Sequence, residues 1–278
     1  MKKELDLIRP KVLIATGWGF NSHEELGYCF NLAGADTDFI HLSKILEKPK
    51  ILDKYNGLGL PGGFSGGDHL GAGQFVANMI NQSPKGRSKL EEKVNDENFP
   101  IIEVCNSAQI SSKLGLYPVE VGTVQNDVGK HQTQYWDLSI DKDCSSVWLN
   151  ELRKTTEPIF APISHGEGRF HLTEEGLAKA KEIGMIALRY SSNGAMSEYF
   201  KHVRNGVYNP NGSVDDIAGF SWKNNLALFP HFERLHKNSQ RPDKYEAKER
   251  GVNLHANYEP TVLLFKGAVD YMKTQMRR

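Results

Sequence analysis

The chain has 278 residues, enough for one large domain or two small ones around a substantial core. Lysine plus arginine equals aspartate plus glutamate at 34 each, which excludes an electrostatic case for nucleic acid or an anionic membrane as main partner. Thirteen Phe, ten Tyr and four Trp exclude a disordered chain, and no apolar run approaches the length of a membrane span.

The opening stretch MKKELDLIRP lacks the apolar core of a signal peptide. Cys29, Cys105 and Cys144 are an odd count at unrelated spacings, which points to a reducing, cytoplasmic setting with free thiols and not to a disulfide framework or zinc site. Lys11–Thr16 reads as a buried strand. Ser22 is a candidate N-cap, with Glu24 and Glu25 in the first helical turn and Gly34 as the stop. Residues 37–42 read as a second strand, and this βαβ rhythm predicts a parallel sheet. Gly57–Leu60 is a short strand entering Pro61-Gly62-Gly63-Phe64-Ser65-Gly66-Gly67-Asp68. A loop so rich in glycine lets backbone N–H groups approach a ligand, though neither G-x-G-x-x-G nor a P-loop lysine is present. A plain surface loop is the other reading. Residues 71–78 look helical, and a polar, charged segment, 82–98, leads to the next strand.

Ile101–Val104 is a short apolar run that ends abruptly at Cys105, and a helix-compatible stretch, Asn106–Leu114, follows at once. A strand, a sharp turn and a helix push one side chain out beyond the sheet. The unpaired N–H groups of the new helix favour a thiolate there. A small buried core thiol is the alternative. Further on, residues 134–140, 157–163 and 186–190 read as strands, Thr173 opens a helix closed by Gly184, and Tyr208-Asn-Pro-Asn-Gly-Ser213 is a turn. Residues 217–221 and 225–229 read as a hairpin around Lys223-Asn224. Residues 237–257 are polar and read as a long loop. Glu259-Pro260 starts a last helix in which Val262, Leu263, Phe265, Val269 and Met272 can share a face.

A nucleophilic thiol needs a base, and the base needs a group to orient it. His231 and Glu233 follow the second hairpin strand with one residue between them. In extended chain they would point to the same side.

These features resemble the glutaminase subunits of phosphoribosylformylglycinamidine synthase, which are class I glutamine amidotransferases of purine biosynthesis. The matching residues are Gly59-Leu-Pro-Gly-Gly-Phe-Ser65 with Gly67-Asp68, Leu70-Gly-Ala-Gly73, Val104-Cys-Asn106 with Gln109, and His165-Gly-Glu-Gly-Arg169. They continue in the family's order with Ala187-Leu-Arg-Tyr190, Tyr208-Asn-Pro-Asn-Gly-Ser213, Ile217-Ala-Gly219 and Pro230-His231 with Glu233-Arg234. The resemblance covers the first strand to about residue 234. It implies one flavodoxin-like α/β domain over residues 1–278, with a mostly parallel sheet flanked by helices and a C-terminal extension at 237–278. It implies Cys105 as nucleophile, His231 as base, Glu233 as its orienting group, the N–H groups of Gly63 and Asn106 as an oxyanion hole, and Gln109 in substrate binding. His165, Glu167 and Arg169 would lie near the glutamine pocket or a subunit interface. The reaction needs no metal or organic cofactor in this chain. ATP and magnesium would belong to a partner synthase subunit, with a small third subunit alongside.

On the residues alone, Asp68 could simply cap a helix, Arg169 could pair with Glu167, and His165 could be a hydrogen-bonded loop histidine. The chain also departs from the family. Glu103 and Ser107 stand where the family has glycine, Phe232 stands where it has proline, and Gln134-Tyr135-Trp136 replaces an arginine-bearing strand. A large, charged Glu103 is expected to crowd the elbow and raise the thiol pKa. That motivates a second reading, a non-hydrolytic regulatory or binding module of the same fold. A third, a related cysteine hydrolase or chaperone-like protein, does not account for the His165-Gly-Glu-Gly and Asn209-Pro-Asn-Gly-Ser stretches.

Overall fold

The structure is a computed structural model that describes residues 9–201 and 209–277. The stretch read for a signal peptide (apart from Arg9 and Pro10) and Tyr208 of the expected turn lie outside the described residues. The strands are β1 (Lys11–Thr16), β2 (Asp36–His41), β3 (Gly57–Leu60), β4 (Ile101–Val104), β5 (Gly122–Val124), β6 (Gln132–Ile140), β7 (Phe160–His165), β8 (Arg169–His171), β9 (Ile186–Tyr190), β10 (Ile217–Trp222) and β11 (Asn225–Leu228). Nine of them form one sheet in the order β2-β1-β3-β4-β11-β10-β9-β6-β7, and β5 pairs with β8 in a separate ribbon. The first five strands of that order pair in parallel. The remaining four are added by antiparallel pairing. Each antiparallel step reverses direction, so β9 and β7 return to the direction of the parallel block, and only β10 and β6 oppose it. The sheet is therefore mostly parallel, as expected.

Burial of both sheet faces follows from the alternation of side chains along each strand. In β1, Val12 and Ile14 join a core with Leu26, Phe30, Trp148 and Phe265. Their neighbours Leu13 and Ala15 join a second core on the other face, with Val76, Ile80, Leu90 and Ile110. Phe30, Trp148 and Phe265 meet edge to face, with centroids 5.0–6.1 Å apart. Such pairs each add about 0.5–1.5 kcal/mol beyond the area they bury.

The structure differs from expectation in several places. The charged segment after residue 82 contains a helix, Pro84–Val94. Its mean character is polar, but Leu90 and Val94 are buried against the second core. The polar segment after residue 237 is not a plain loop. It holds a short 3₁₀ turn, Asn238–Gln240, and a helix, Lys244–Glu249. Buried Arg241 is paired with Asp243 there at 2.9 Å. The last helix, Glu259–Gln275, begins where Pro260 suggests and buries Phe265, Val269 and Met272 as expected, but Thr261, Leu264 and Ala268 are buried with them, while Val262 and Leu263 are half-buried. This helix belongs to the core that also holds Trp148.

Candidate active site

β4 ends at Cys105, which has φ +49° and ψ −100°, a conformation that L side chains rarely adopt. Strain of this kind needs support, and the main chain supplies it. The Cys105 N–H donates to Leu228 O of β11 at 2.7 Å, and the Cys105 carbonyl accepts from Gln109 N–H at 3.1 Å. Cys105 is thus held between the next strand and its own helix, Asn106–Leu114. Its Sγ lies 3.7 Å from Ser164 O. Cys105 is 4% exposed, and that surface opens on a pocket of about 210 Å³ lined also by Gly63, Asp68, Gln109, His165 and Glu167.

Both departures at the elbow have partners. Ser107 Oγ donates to Pro61 O at 2.6 Å and ties the helix to the glycine loop. Glu103 does not crowd the turn. It is buried beneath the helix, where Tyr117 Oη donates to its Oε2 at 2.8 Å. Burial pushes the Glu103 carboxyl up to about 7, with Ser111, Tyr117 and Asn225 acting against the rise. Phe232, in the expected proline position, is a core side chain whose carbonyl accepts from Thr261 Oγ1 at 3.1 Å.

His231 follows β11, and its N–H donates to Pro162 O at 2.7 Å. Phe232–Arg234 forms a 3₁₀ turn, so the extended register expected for His231 and Glu233 is not the geometry that joins them. The turn brings them together all the same: Nδ1 of His231 stands 2.6 Å from Glu233 Oε1. Both side chains are buried, at 2% and 0% exposed. Burial disfavours the imidazolium, but Glu233 and Cys105 outweigh it and raise His231 to about 10. With Nδ1 engaged by Glu233, the buried Nε2 is the nitrogen left for the thiol. Cys29 is also close, with Sγ 3.9 Å from Glu233 O, but burial pushes its thiol well up. Burial raises Cys144 as well.

The glycine loop closes the pocket opposite the elbow. Gly62 N–H donates to Ser22 Oγ at 3.0 Å, so the expected N-cap serine holds this loop and makes no side-chain cap bond to its helix. At Gly63 the space that a side chain would need is filled by Gly19 O, 2.3 Å from an added Cβ. The missing side chain therefore lets Gly63 pack on the Gly19 main chain, while its residue still lines the pocket.

The sequence pattern of the CobB/CobQ-like glutamine amidotransferase domain matches residues 9–272. The phosphoribosylformylglycinamidine synthase subunit PurQ of Methanococcus maripaludis strain C7 is 32% identical over 278 residues, spanning 94% of this chain and 97% of that protein. This chain is a PurQ-type member of the CobB/CobQ-like glutamine amidotransferase family. The phosphoribosylformylglycinamidine synthase of Saccharomyces cerevisiae is 34% identical, but the match takes 95% of this chain and 20% of that longer protein. Among solved structures, PurLQS from Thermotoga maritima shares the amidotransferase fold with a TM-score of 0.67 at 22% identity, over 95% of this chain and 100% of that one.

Around Cys105, the other expected residues divide. Gln109 Nε2 donates to Glu167 O at 2.8 Å, and its Oε1 accepts from Asn106 Nδ2 at 2.9 Å. Glu167 Oε2 accepts from Ala72 N–H at 3.2 Å, so it does not pair with Arg169. His165 is 2% exposed and packs on Phe229 at 5.0 Å between centroids. Burial, with His231 and His131 nearby, lowers it to about 3. Arg169 lies on β8 opposite Val124 and does not line the pocket. Asn126 escaped the sequence reading. Its side chain joins His165, Gly168 and Lys130, contacts that only the folded chain creates. Asp68, read as a possible cap, does meet Gly73 N–H, at 3.4 Å, and it also receives Asn106 Nδ2 at 3.3 Å.

Proposed function

We propose that this chain is the glutaminase subunit of a phosphoribosylformylglycinamidine synthase and supplies ammonia from glutamine for purine biosynthesis. The observation that carries the chemistry is the 2.6 Å contact of His231 Nδ1 with Glu233, beside a thiol on a strained strand-to-helix turn. The His231 imidazole takes the Cys105 proton through Nε2, and the thiolate attacks the side-chain amide carbon of glutamine. The N–H groups of Gly63 and Asn106 receive the negative oxygen of the tetrahedral intermediate. As that intermediate collapses, the carbon–nitrogen bond breaks and the imidazolium gives its proton to the departing ammonia. A water molecule, deprotonated by His231, then splits the thioester and frees glutamate and the thiol. Glu233 holds the ring in orientation throughout.

The ammonia passes to a synthase subunit, which carries the ATP and magnesium, and a small third subunit completes the complex. A cytoplasmic setting fits the free, buried thiols. The equal charge count supports protein and small-molecule partners over nucleic acid or membrane. Among the described residues, no helix is long and apolar enough to cross a membrane. The feature behind the non-hydrolytic reading, Glu103, is occupied with Tyr117 under the helix.

The test is glutamate release, measured with and without the synthase subunit and its nucleotide substrate, together with labelling by an electrophilic glutamine analogue. The label is expected on Cys105 and not on Cys29 or Cys144. Cys105→Ala should lose glutamine-dependent synthesis and keep synthesis from added ammonia. Loss of both, or a label elsewhere, refutes the assignment.

A further inference from the structure

Glu233 is held against His231 by a turn of three residues, Phe232–Arg234, and one 3₁₀ turn closes too few hydrogen bonds to fix its own shape. His231 before it (φ −93°, ψ 77°) and Leu235 after it (φ −129°, ψ 68°) are non-helical. The turn's own bonds run from Arg234 N–H to His231 O at 3.1 Å and from Leu235 N–H to Phe232 O at 3.0 Å. Further support comes from a helix that starts 25 residues later in the chain.

Thr261 of the helix Glu259–Gln275 is fully buried. Its Oγ1 stands 2.6 Å from Leu235 O and 3.1 Å from Phe232 O, so one hydroxyl proton is shared between carbonyls on either side of Glu233. A helical threonine often turns its hydroxyl back to a carbonyl of its own helix, three or four residues earlier. Thr261 lies in the first turn, where those residues precede the helix, and its hydroxyl reaches across to Phe232 and Leu235 instead. The helix is a firm anchor, because Leu264, Phe265, Ala268 and Met272 are buried in the core with Trp148. Tyr258, just ahead of the helix, donates its N–H to His236 O at 3.0 Å and ties the same two segments a second time.

Other groups face the dyad. Cys105 of the elbow and His165 of β7 lie near His231. Arg234 Nε stands 3.9 Å from Glu233 Oε1, and Cys29 Sγ and His236 Nδ1 stand 3.9 and 3.2 Å from Glu233 O. These touch the dyad itself, whereas Thr261 bridges the carbonyls that flank Glu233.

We propose that Thr261 is a positioning residue for glutamine hydrolysis, its hydroxyl setting the turn that keeps the Glu233 carboxylate on Nδ1 of His231. This rests on the amidotransferase reading above. Thr261 belongs to the C-terminal segment, beyond the motifs that match the family, so the sequence alone assigns it no part in the reaction. Without the hydroxyl the turn relaxes, Glu233 withdraws, and the imidazolium loses its counter-charge.

Thr261→Val keeps the shape of the side chain and removes the hydroxyl, and Thr261→Ser keeps the hydroxyl. Glutamate release is measured with the synthase subunit present. Thr261→Val is expected to lower kcat about 10-fold or more. KM for glutamine should change little, because Thr261 does not line the pocket beside Cys105. The alkaline limb of the pH–rate profile should move down in Thr261→Val and stay in place in Thr261→Ser, which should keep most of the rate. Since Thr261 acts through Glu233, Thr261→Val should cost little more once Glu233→Gln is present. Equal losses in the two backgrounds, with the alkaline limb unmoved, mean a merely structural role and overturn the inference. So does a Thr261→Val enzyme with wild-type kcat. If Thr261→Val does not fold, Thr261→Ala, which crowds nothing, carries the same comparison against Thr261→Ser. An active wild type matched by its hydroxyl-free variant sinks this inference alone, whereas a wild-type chain that releases no glutamate sinks the amidotransferase reading with it.

Discussion

His231 meets the carboxylate of Glu233 at 2.6 Å with both side chains shut away from water. Burial alone would drive the ring neutral, and Glu233 and Cys105 reverse that. Glu233→Gln keeps the shape and removes the charge. The imidazolium should then deprotonate at lower pH, so the alkaline limb of the pH–rate profile should move down. The value of kcat should fall about 100-fold, the scale of general acid–base assistance. A profile that keeps its alkaline limb would mean that Glu233 does not act on the ring.

The same pair makes stability depend on pH. His231 is raised from 6.5 to about 10 on folding, so the folded chain holds that proton more tightly than the unfolded one. The resulting stabilisation is complete below about 6.5 and is lost as pH rises through 10. Thermal melts of wild type and His231→Gln across this range should show the wild-type advantage shrinking with pH. A constant gap would contradict the linkage.

Glu103 is the opposite kind of site, a carboxyl that burial keeps protonated. Its rise from 4.5 to about 7 means that folding favours the neutral form. Its contribution is therefore full below about 4.5 and lost as pH climbs through 7. Glu103→Gln retains an acceptor for Tyr117 and cannot ionise. The variant should gain on wild type at pH 8 by a few kcal/mol at most, since one pKa unit is about 1.4 kcal/mol. The gain should vanish near pH 4.5. Urea melts at the two pH values measure it.

Gly62 stands against the dyad. A Cβ there would come within 2.7 Å of His231 Cε1 and 3.5 Å of Cys105 Cβ. Gly62→Ala should displace the ring and cost about 100-fold in glutamate release, as small misplacements of reacting groups do. The melting temperature should change little by comparison, because Gly62 sits in a loop at the site. Full activity in this variant would show that the ring position is not limiting.

The elbow was legible because local signals agree there. An apolar run, a cysteine and a helix-forming stretch give β4 and Asn106–Leu114 with the expected boundaries. β1 and the β10–β11 hairpin were readable for the same reason. The helix Pro84–Val94 was not, since its few core contacts are masked by charge. The three-residue strands β5 and β8 carry too short a pattern to register. His231 and Glu233 are recognisable as a pair, but a 3₁₀ turn joins them where alternation along a strand predicts the contact. Asn126 depends on contacts between segments far apart in sequence. No local pattern encodes such contacts.

β4 and β11 are adjacent strands in register, Val104 beside Leu228, yet the whole of β5 to β10 is synthesised between them. A nascent polypeptide that stops short of β11 carries Cys105 without His231. During translation Cys105 and His231 therefore cannot meet until β11 and the turn after it have left the ribosome.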